Sequence, residues 1–507
     1  MPPSARAAVR AAQLDRALGD WQRPDAGPAY RALAGGLRTL VLDGRVPVET
    51  RLPAERELST ALGVSRTTVA AAYELLRDEG FLTSRRGAGS WTSLPAGRAM
   101  PVIGISPHAA SGGPGGGVPG GGLPGRGDVI DLGIAAMSAP EPWLSRAMAA
   151  AVAELPAWTA THGDFPAGLT ATRQAVADRY TARGLPTGPE QIMITTGAAG
   201  AFSLLLRHVL APGERVAVES PSFANVLQAL RYAGGRAVPV PLLHDGWDLE
   251  AWARTLRDAA PRMAYLIPDF HNPTGLLMPE AERRSLVDAA RATGTLLVSD
   301  ETMVDLCLDQ ELAARMPRPL AAFDHGGTVV TLGSAGKTFW GGLRIGWIRA
   351  TPELIRRLAG DRASLDVSSP VVEQLAVRHL LAPQTLPQIL THQRDRVRAQ
   401  RDALAEAVRE LLPGWTFRLP QGGLSLWVRT APGLSGSALA TTAERHGVWV
   451  GSGPRFGVDG VLERFVRLPF SLPPEVSREA VRRLAAAAAS LSGAEPATTP
   501  PAEVTLL

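Results

Sequence analysis

Lysine is almost absent from this sequence. Of 52 basic residues among 507, 51 are arginine, and Lys337 stands alone. Drift toward Arg, Ala, Gly and Pro accounts for the general loss but not for the one position retained. A guanidinium serves wherever a surface cation is wanted. It cannot condense with an aldehyde as a primary amine can, and an amine's pKa falls readily on burial. Cysteine is equally scarce. Cys307 is the only one, which excludes an intrachain disulfide and a cysteine-based zinc site, and no metal is expected. No run of about 18 apolar residues occurs, so no membrane span is expected. The opening MPPSARAAVRAAQLDRALGD has no apolar core before a cleavage site, which predicts a cytoplasmic rather than a secreted chain.

What is present divides unevenly. The length suggests about three domains. Residues 1–100 hold 14 arginines against 10 acids, so the whole net charge of +4 lies in that first fifth, as expected of a part that meets a polyanion. Residues 98–128 include SGGPGGGVPGGGLPGRGD, which has almost nothing to bury and reads as a linker. The expected organisation is an N-terminal arm over 1–27, a small helical unit over 28–97, the linker over 98–128, a large domain over 129–372, a smaller one over 373–492 and a tail over 493–507.

Within the helical unit, the spacing predicts a helix from Tyr30 to Asp43. A second helix, AERELSTAL, ends at Gly63, and a third starts after Ser65 and closes at Gly80. Two helices joined by a Gly-Val-Ser turn match a helix-turn-helix, whose second helix enters the major groove by its first residues. Those residues are Ser65, Arg66, Thr67 and Thr68, with Arg56 on the preceding helix against the backbone. FLTS and SWTS flank RRGAG, which puts Arg85 and Arg86 on the turn of a short hairpin, or wing. The stretch RLPAERELSTALGVSRTTVAAAYELLRDEGFLTSRRGAGSW resembles the GntR-type winged helix. The resemblance implies double-stranded DNA as partner, contacted by Arg56, Ser65, Arg66, Thr67, Thr68, Arg86 and Gly87. Some relatives have a further arginine where this chain has Ala70.

Beyond the linker, apolar strand candidates (ERVAVES, RMAYLIPDF, TLLVSDE, TVVTLGS) alternate with helical stretches such as EAERRSLVDAARATG. This argues for a mainly parallel sheet covered by helices. From about residue 373 the texture changes to a smaller α+β unit. Lys337 lies in SAGKTFWGGLRIGW, with Ser334 three residues before it and Arg344 seven after. An amine for an aldehyde, plus a hydroxyl and an arginine for a phosphate, thus sit in one loop. ITTGAAGAFSLLL places Gly197, Ala198 and Ala199 at a strand-to-helix turn, where amides and helix dipole favour the same anion. Asp300 at the end of LLVSDE can keep a pyridine nitrogen protonated, and Asn272 in HNPTG can bond a ring hydroxyl.

Residues 129–490 resemble the fold-type I aminotransferases, on NPTG and the Ser-x-x-Lys…Arg pattern. The resemblance implies pyridoxal 5'-phosphate as cofactor, covalently held by Lys337 as the catalytic residue. It gives Asp300 to the ring nitrogen, Asn272 to the ring oxygen and Phe223 to the ring face. Ser334, Arg344 and the 197–199 amides fall to the phosphate, and Arg467 to a ligand's α-carboxylate. Two departures bear on turnover: Met303 stands where a tyrosine usually bonds the ring oxygen, and Asp164 stands where relatives tend to carry another tyrosine.

A GntR-type winged helix joined to an aminotransferase-like domain resembles the MocR subfamily of regulators, nearest its YczR-like branch. The expected fold class is therefore multidomain, a winged helix-turn-helix followed by an α/β large domain and a smaller α+β domain. The expected function is a homodimeric, cofactor-dependent transcriptional regulator that senses pyridoxal phosphate or its adduct with a small amino compound. A working aminotransferase with a tethered DNA-binding domain stays open as the alternative. A bare dimerisation scaffold is disfavoured, having no use for a lone lysine.

Overall fold

A computed structural model describes residues 8–19, 21, 28–85, 89–95 and 129–492. The expected linker and tail lie outside the described residues. Helices α1 (Ala11–Leu18), α2 (Ala29–Leu42), α3 (Glu55–Leu62) and α4 (Arg66–Asp78) precede a hairpin of β1 (Leu82–Arg85) and β2 (Gly89–Thr92). Gly63 ends α3 at φ 64°, a conformation that costs glycine little. Ser65 then caps α4, its hydroxyl accepting from the Thr68 amide at 3.0 Å. Apolar faces of all four helices meet in one core that includes Leu14, Leu33, Leu37, Leu58, Val69 and Leu76. Helix α1 falls in the stretch expected to be only an arm. It orders because Leu14 is wholly buried in that core.

After β3 (Ile130–Leu132) come β4 (Ile192–Thr195), β5 (Arg215–Ser220), β6 (Arg236–Pro241), β7 (Met263–Leu266), β8 (Leu296–Asp300), β9 (Val329–Ser334) and β10 (Gly346–Arg349). The last seven form one sheet in the order β4-β10-β9-β8-β7-β5-β6, with β10 antiparallel to both neighbours and the rest parallel. Side chains alternate across it. Met263, Tyr265 and Val298 pack on the face covered by the helix Gly197–Val209, and Ala264, Leu266 and Leu297 on the face covered by Thr170–Ala182. Burial on both faces explains why these strands read as continuous apolar runs.

The smaller sheet has the order β11-β13-β12-β3, with β11 (Ser425–Arg429), β12 (Val448–Ser452) and β13 (Phe465–Pro469). Helices Leu386–Leu411, Gly436–Arg445 and Pro474–Ser492 cover it. Ile130–Leu132, on the large-domain side of the expected boundary, pairs with Val448–Val450 of this sheet instead. The N-terminal unit rests on the turn that precedes β13. Leu462 donates its amide to the Leu42 carbonyl, and Val48 and Leu94 pack on Val461, Leu462, Phe456 and Ala224.

Candidate functional site

Two sites take shape, one on the N-terminal unit and one at the end of the large sheet. On the first, Ser65, Arg66 and Thr67 are exposed at the start of α4, and Thr68 is half-buried. The Ser65 hydroxyl is within 2.7 and 2.8 Å of the Thr67 and Thr68 hydroxyls, so the cap and the hydroxyls at the head of α4 form one cluster. Arg66 is 71% exposed and held by a single 3.3 Å contact to Glu55, which leaves its fork free to turn outward. Arg56 is exposed on α3. Arg85 ends β1, but its side chain lies outside the described residues, as do Arg86 and Gly87. The expected wing contacts are therefore not placed.

The second site forms where strand register brings distant residues level. Gly346 on β10 lies opposite both Ser334 on β9 and Thr195 on β4. Ser334, Lys337 and the 197–199 amides thereby share the carboxyl ends of β9 and β4, the strands on either side of β10, where open α/β sheets bind ligands. Gly197 takes φ 74°, and a Cβ on Gly346 would come 2.5 Å from the Gly197 carbonyl carbon. Only glycine permits that approach. Arg344, itself in the left-handed region at φ 50°, places Nη2 3.4 Å from the Thr196 carbonyl, beside the first amides of the helix Gly197–Val209. Ser334 caps the short turn that carries Lys337, accepting from the Gly336 amide at 3.0 Å.

Lys337 donates to the Ala135 carbonyl. Burial pulls its ammonium down to about 8, with Arg467 and Arg344 adding to the effect and Asp300 opposing it. Asp300 closes β8 and is buried; it accepts from the Tyr265 hydroxyl at 2.5 Å and the Thr302 amide at 2.9 Å. Asn272, also buried, accepts from Arg467 Nη1 at 3.3 Å. Phe223 is half-buried at the start of the helix Ala224–Tyr232. Arg467 on β13 is 6% exposed, bonded to the Gly133 carbonyl and stacked on Phe456 with Cζ 4.8 Å from the ring centroid. Its Nε has no acceptor among the described residues. Burial and the neighbouring Arg455 push it down to about 9 against the pull of Asp131. A buried guanidinium met mainly by neutral oxygens is a seat for a carboxylate.

These residues fit a phosphorylated pyridine aldehyde. A poised amine faces a buried carboxylate, and a glycine-permitted cradle of amides lies beside an arginine. Met303 brings nothing to the site, since it is buried against Phe270 and Leu306 in the small-domain core. Asp164 is exposed in a loop. Sequence reasoning missed Tyr265, whose hydroxyl hides in the apolar run MAYL. It also missed Glu219, fully buried, which accepts from Trp247 Nε1 at 2.6 Å and the Ile267 amide at 2.9 Å and lies 3.1 Å from the ring of His271, the residue before Asn272.

The family model for aminotransferase class I and II matches residues 128–484, and that for bacterial regulatory proteins of the gntR family matches residues 29–91. The chain is 28% identical over 468 residues to an uncharacterized HTH-type transcriptional regulator, YisV, of Bacillus subtilis, covering 90% of this chain and 95% of that one. It is 32% identical over 312 residues to 2-aminoadipate transaminase of Thermus thermophilus (60% and 77% of the two chains) and 28% identical over 342 residues to the probable rhizopine catabolism regulatory protein MocR of Rhizobium meliloti (64% and 66%). Among solved structures it is similar to the α-aminoadipate aminotransferase LysN of Thermus thermophilus complexed with N-(5'-phosphopyridoxyl)-L-leucine. That match has a TM-score of 0.65 and 29% identity, covering 72% of this chain and 93% of that one.

Proposed function

The chain belongs to the class I and II aminotransferase family and carries a gntR-family domain ahead of it, and on that premise we propose that it is a DNA-binding transcriptional regulator which senses pyridoxal phosphate or its adduct with a small amino compound. When bound, the cofactor supplies an aldehyde carbon and an electron-accepting ring. Lys337 offers the amine that holds it. Asp300 keeps a proton on the ring nitrogen, Asn272 bonds the ring oxygen and Phe223 covers the ring face. Ser334, Arg344 and the amides of Gly197, Ala198 and Ala199 take the phosphate. Arg467 exchanges its carbonyl partner for the carboxylate of an amino compound. On the DNA side, Ser65 holds the start of α4 in shape while Arg66, Thr67 and Thr68 reach the groove. Arg56 serves the backbone, and Arg85, Arg86 and Gly87 serve the wing. A homodimer would present two such helices to paired half-sites.

The observation that carries this reading is the segment 453–462. At one end Phe456 lies under Arg467 and accepts the Ser222 amide at 2.8 Å, one residue from Phe223. At the other, Leu462 is bonded to Leu42 and packed on the N-terminal unit. A ligand that alters Arg467 or Phe223 therefore pushes on a segment seated against the DNA-binding unit. A regulator further requires that the ligand favour one of two domain arrangements. The transaminase reading has less support, because Met303 supplies no hydroxyl. Phe456→Leu tests the coupling. It should leave cofactor and DNA binding individually intact while shrinking the dependence of DNA affinity on the cofactor. Full dependence in that variant would sink the route.

A further inference from the structure

Tyr265 has no part in the assignments above, yet it makes the closest side-chain contact to Asp300. It sits on β7 opposite Val298 of β8, so Asp300 lies two residues further on the same face, at the diagonal distance an aromatic side chain spans. The hydroxyl donates to Asp300 Oδ2 at 2.5 Å, while the Thr302 amide fixes Oδ1 at 2.9 Å. Both carboxylate oxygens are thus held. The Tyr265 ring is wholly buried and meets Phe202 edge-on, centroids 5.1 Å apart. Phe202 belongs to the helix whose first amides form the anion cradle. One ring therefore ties the acid to the cradle.

We infer that Tyr265 is a positioning residue for the cofactor, keeping the Asp300 carboxylate ionised and in one orientation toward the ring nitrogen. The inference deepens the proposed function and rests on its assignment of Asp300. A carboxylate this deeply buried prefers to be neutral, and a neutral acid cannot hold a protonated pyridine. The groups facing Asp300 are few: Tyr265 from β7, Thr302 from its own loop and Lys337 from the turn after β9. Burial raises its pKa, and the Tyr265 hydrogen bond heads the influences that lower it. Tyr265 is faced by Asp300 and by Glu219 of β5, and burial beside these acids pushes its phenol well above the ordinary value, so it stays a donor at every working pH.

The test is cofactor binding by the full chain as a function of pH, read from the visible absorption of bound pyridoxal phosphate and from borohydride fixation on Lys337. In Tyr265→Phe, affinity near neutrality should fall about ten-fold, the scale of a hydrogen bond to a charged group. The acid loss of binding should set in about one pH unit higher, while fixation on Lys337 persists. In Asp300→Asn, adding Tyr265→Phe should change nothing further. An onset that does not move, a loss equal at every pH, or an equal added loss in the Asp300→Asn background would each overturn the inference. Should Tyr265→Phe not fold, replacing the chain's five tyrosines with 3-fluorotyrosine decides the matter. The more acidic phenol must move the onset to lower pH, and an unmoved onset overturns the claim. A parent chain that fixes no cofactor on Lys337 would bring down the reading of the site as well. A loaded parent with a silent Tyr265→Phe overturns this inference alone.

Discussion

Asp43, in the turn after α2, accepts a 2.8 Å hydrogen bond from Nη2 of Arg429 on β11. The pair joins the N-terminal unit to the sheet that carries Arg467. Asp43 is 5% exposed in its side chain, and burial raises its pKa even though Arg429 and Arg464 oppose the shift. A raised carboxyl favours folding at low pH and loses that contribution as pH rises through the folded value. At neutrality the ionised pair is thus costly to keep dry. Asp43→Asn should leave the thermal midpoint within about 4 °C of the parent while weakening the cofactor response of DNA binding. Calorimetry and a binding titration check both halves.

Asp305 has the opposite sign. Burial alone would raise its carboxyl, but Arg179 on one oxygen, the Thr338 hydroxyl on the other at 2.5 Å and the charge of Arg394 together outweigh it and hold the group below the ordinary range. Stability from this group is present above its unfolded pKa and lost as pH falls through the lower folded value. Asp305→Ala strands the buried Arg179 and should cost about 3–5 kcal/mol. It should also loosen the turn next to Lys337, so cofactor affinity falls too. Urea unfolding at pH 7 and at about pH 3, below the ordinary aspartate value of about 3.9, should show the gap between variant and parent narrowing in acid.

Lys337→Arg keeps a cation but removes the amine. The chain should fold and still retain some phosphate affinity through Arg344 and the 197–199 amides. The visible band and borohydride fixation should vanish. A fixed label that persists would mean another group holds the cofactor.

Arg66→Ala should weaken binding to the preferred DNA by about 1–3 kcal/mol and relax sequence preference if Arg66 forks onto a guanine. If it meets only phosphate, the loss should be uniform across sequences and the salt slope should drop by about one. Titrations on matched and scrambled duplexes at two salt concentrations separate the two.

Much of this arrangement could be read from the residues. Lys337, Asp300, Asn272 and Arg344 announce themselves because each stands at the end of a buried strand or in a loop, where a polar residue breaks an apolar run. Ser65 was legible as a cap because it follows the stop at Gly63 and stands directly before a helical run. Tyr265 was not, since a tyrosine inside MAYL reads as core, and only the register of β7 on β8 brings its hydroxyl to Asp300. The partner of Ile130–Leu132 was hidden likewise. It lies in β12, far along the chain, and no local pattern encodes a parallel pairing over that span. Met303 was legible as a missing hydroxyl, but its burial with Phe270 was not. The seat of Leu462 on Leu42 depends on how two units meet, which periodicity within either does not specify.

The measurement that bears most directly on the account is DNA affinity with and without pyridoxal phosphate, for the parent and for Lys337→Arg, at one fixed salt concentration. Salt must be fixed because phosphate contacts make such affinities strongly dependent on it. The account predicts that the cofactor changes the parent's affinity or footprint and leaves Lys337→Arg unmoved. Parent affinity indifferent to the cofactor and to its amino-compound adducts at every concentration would contradict it.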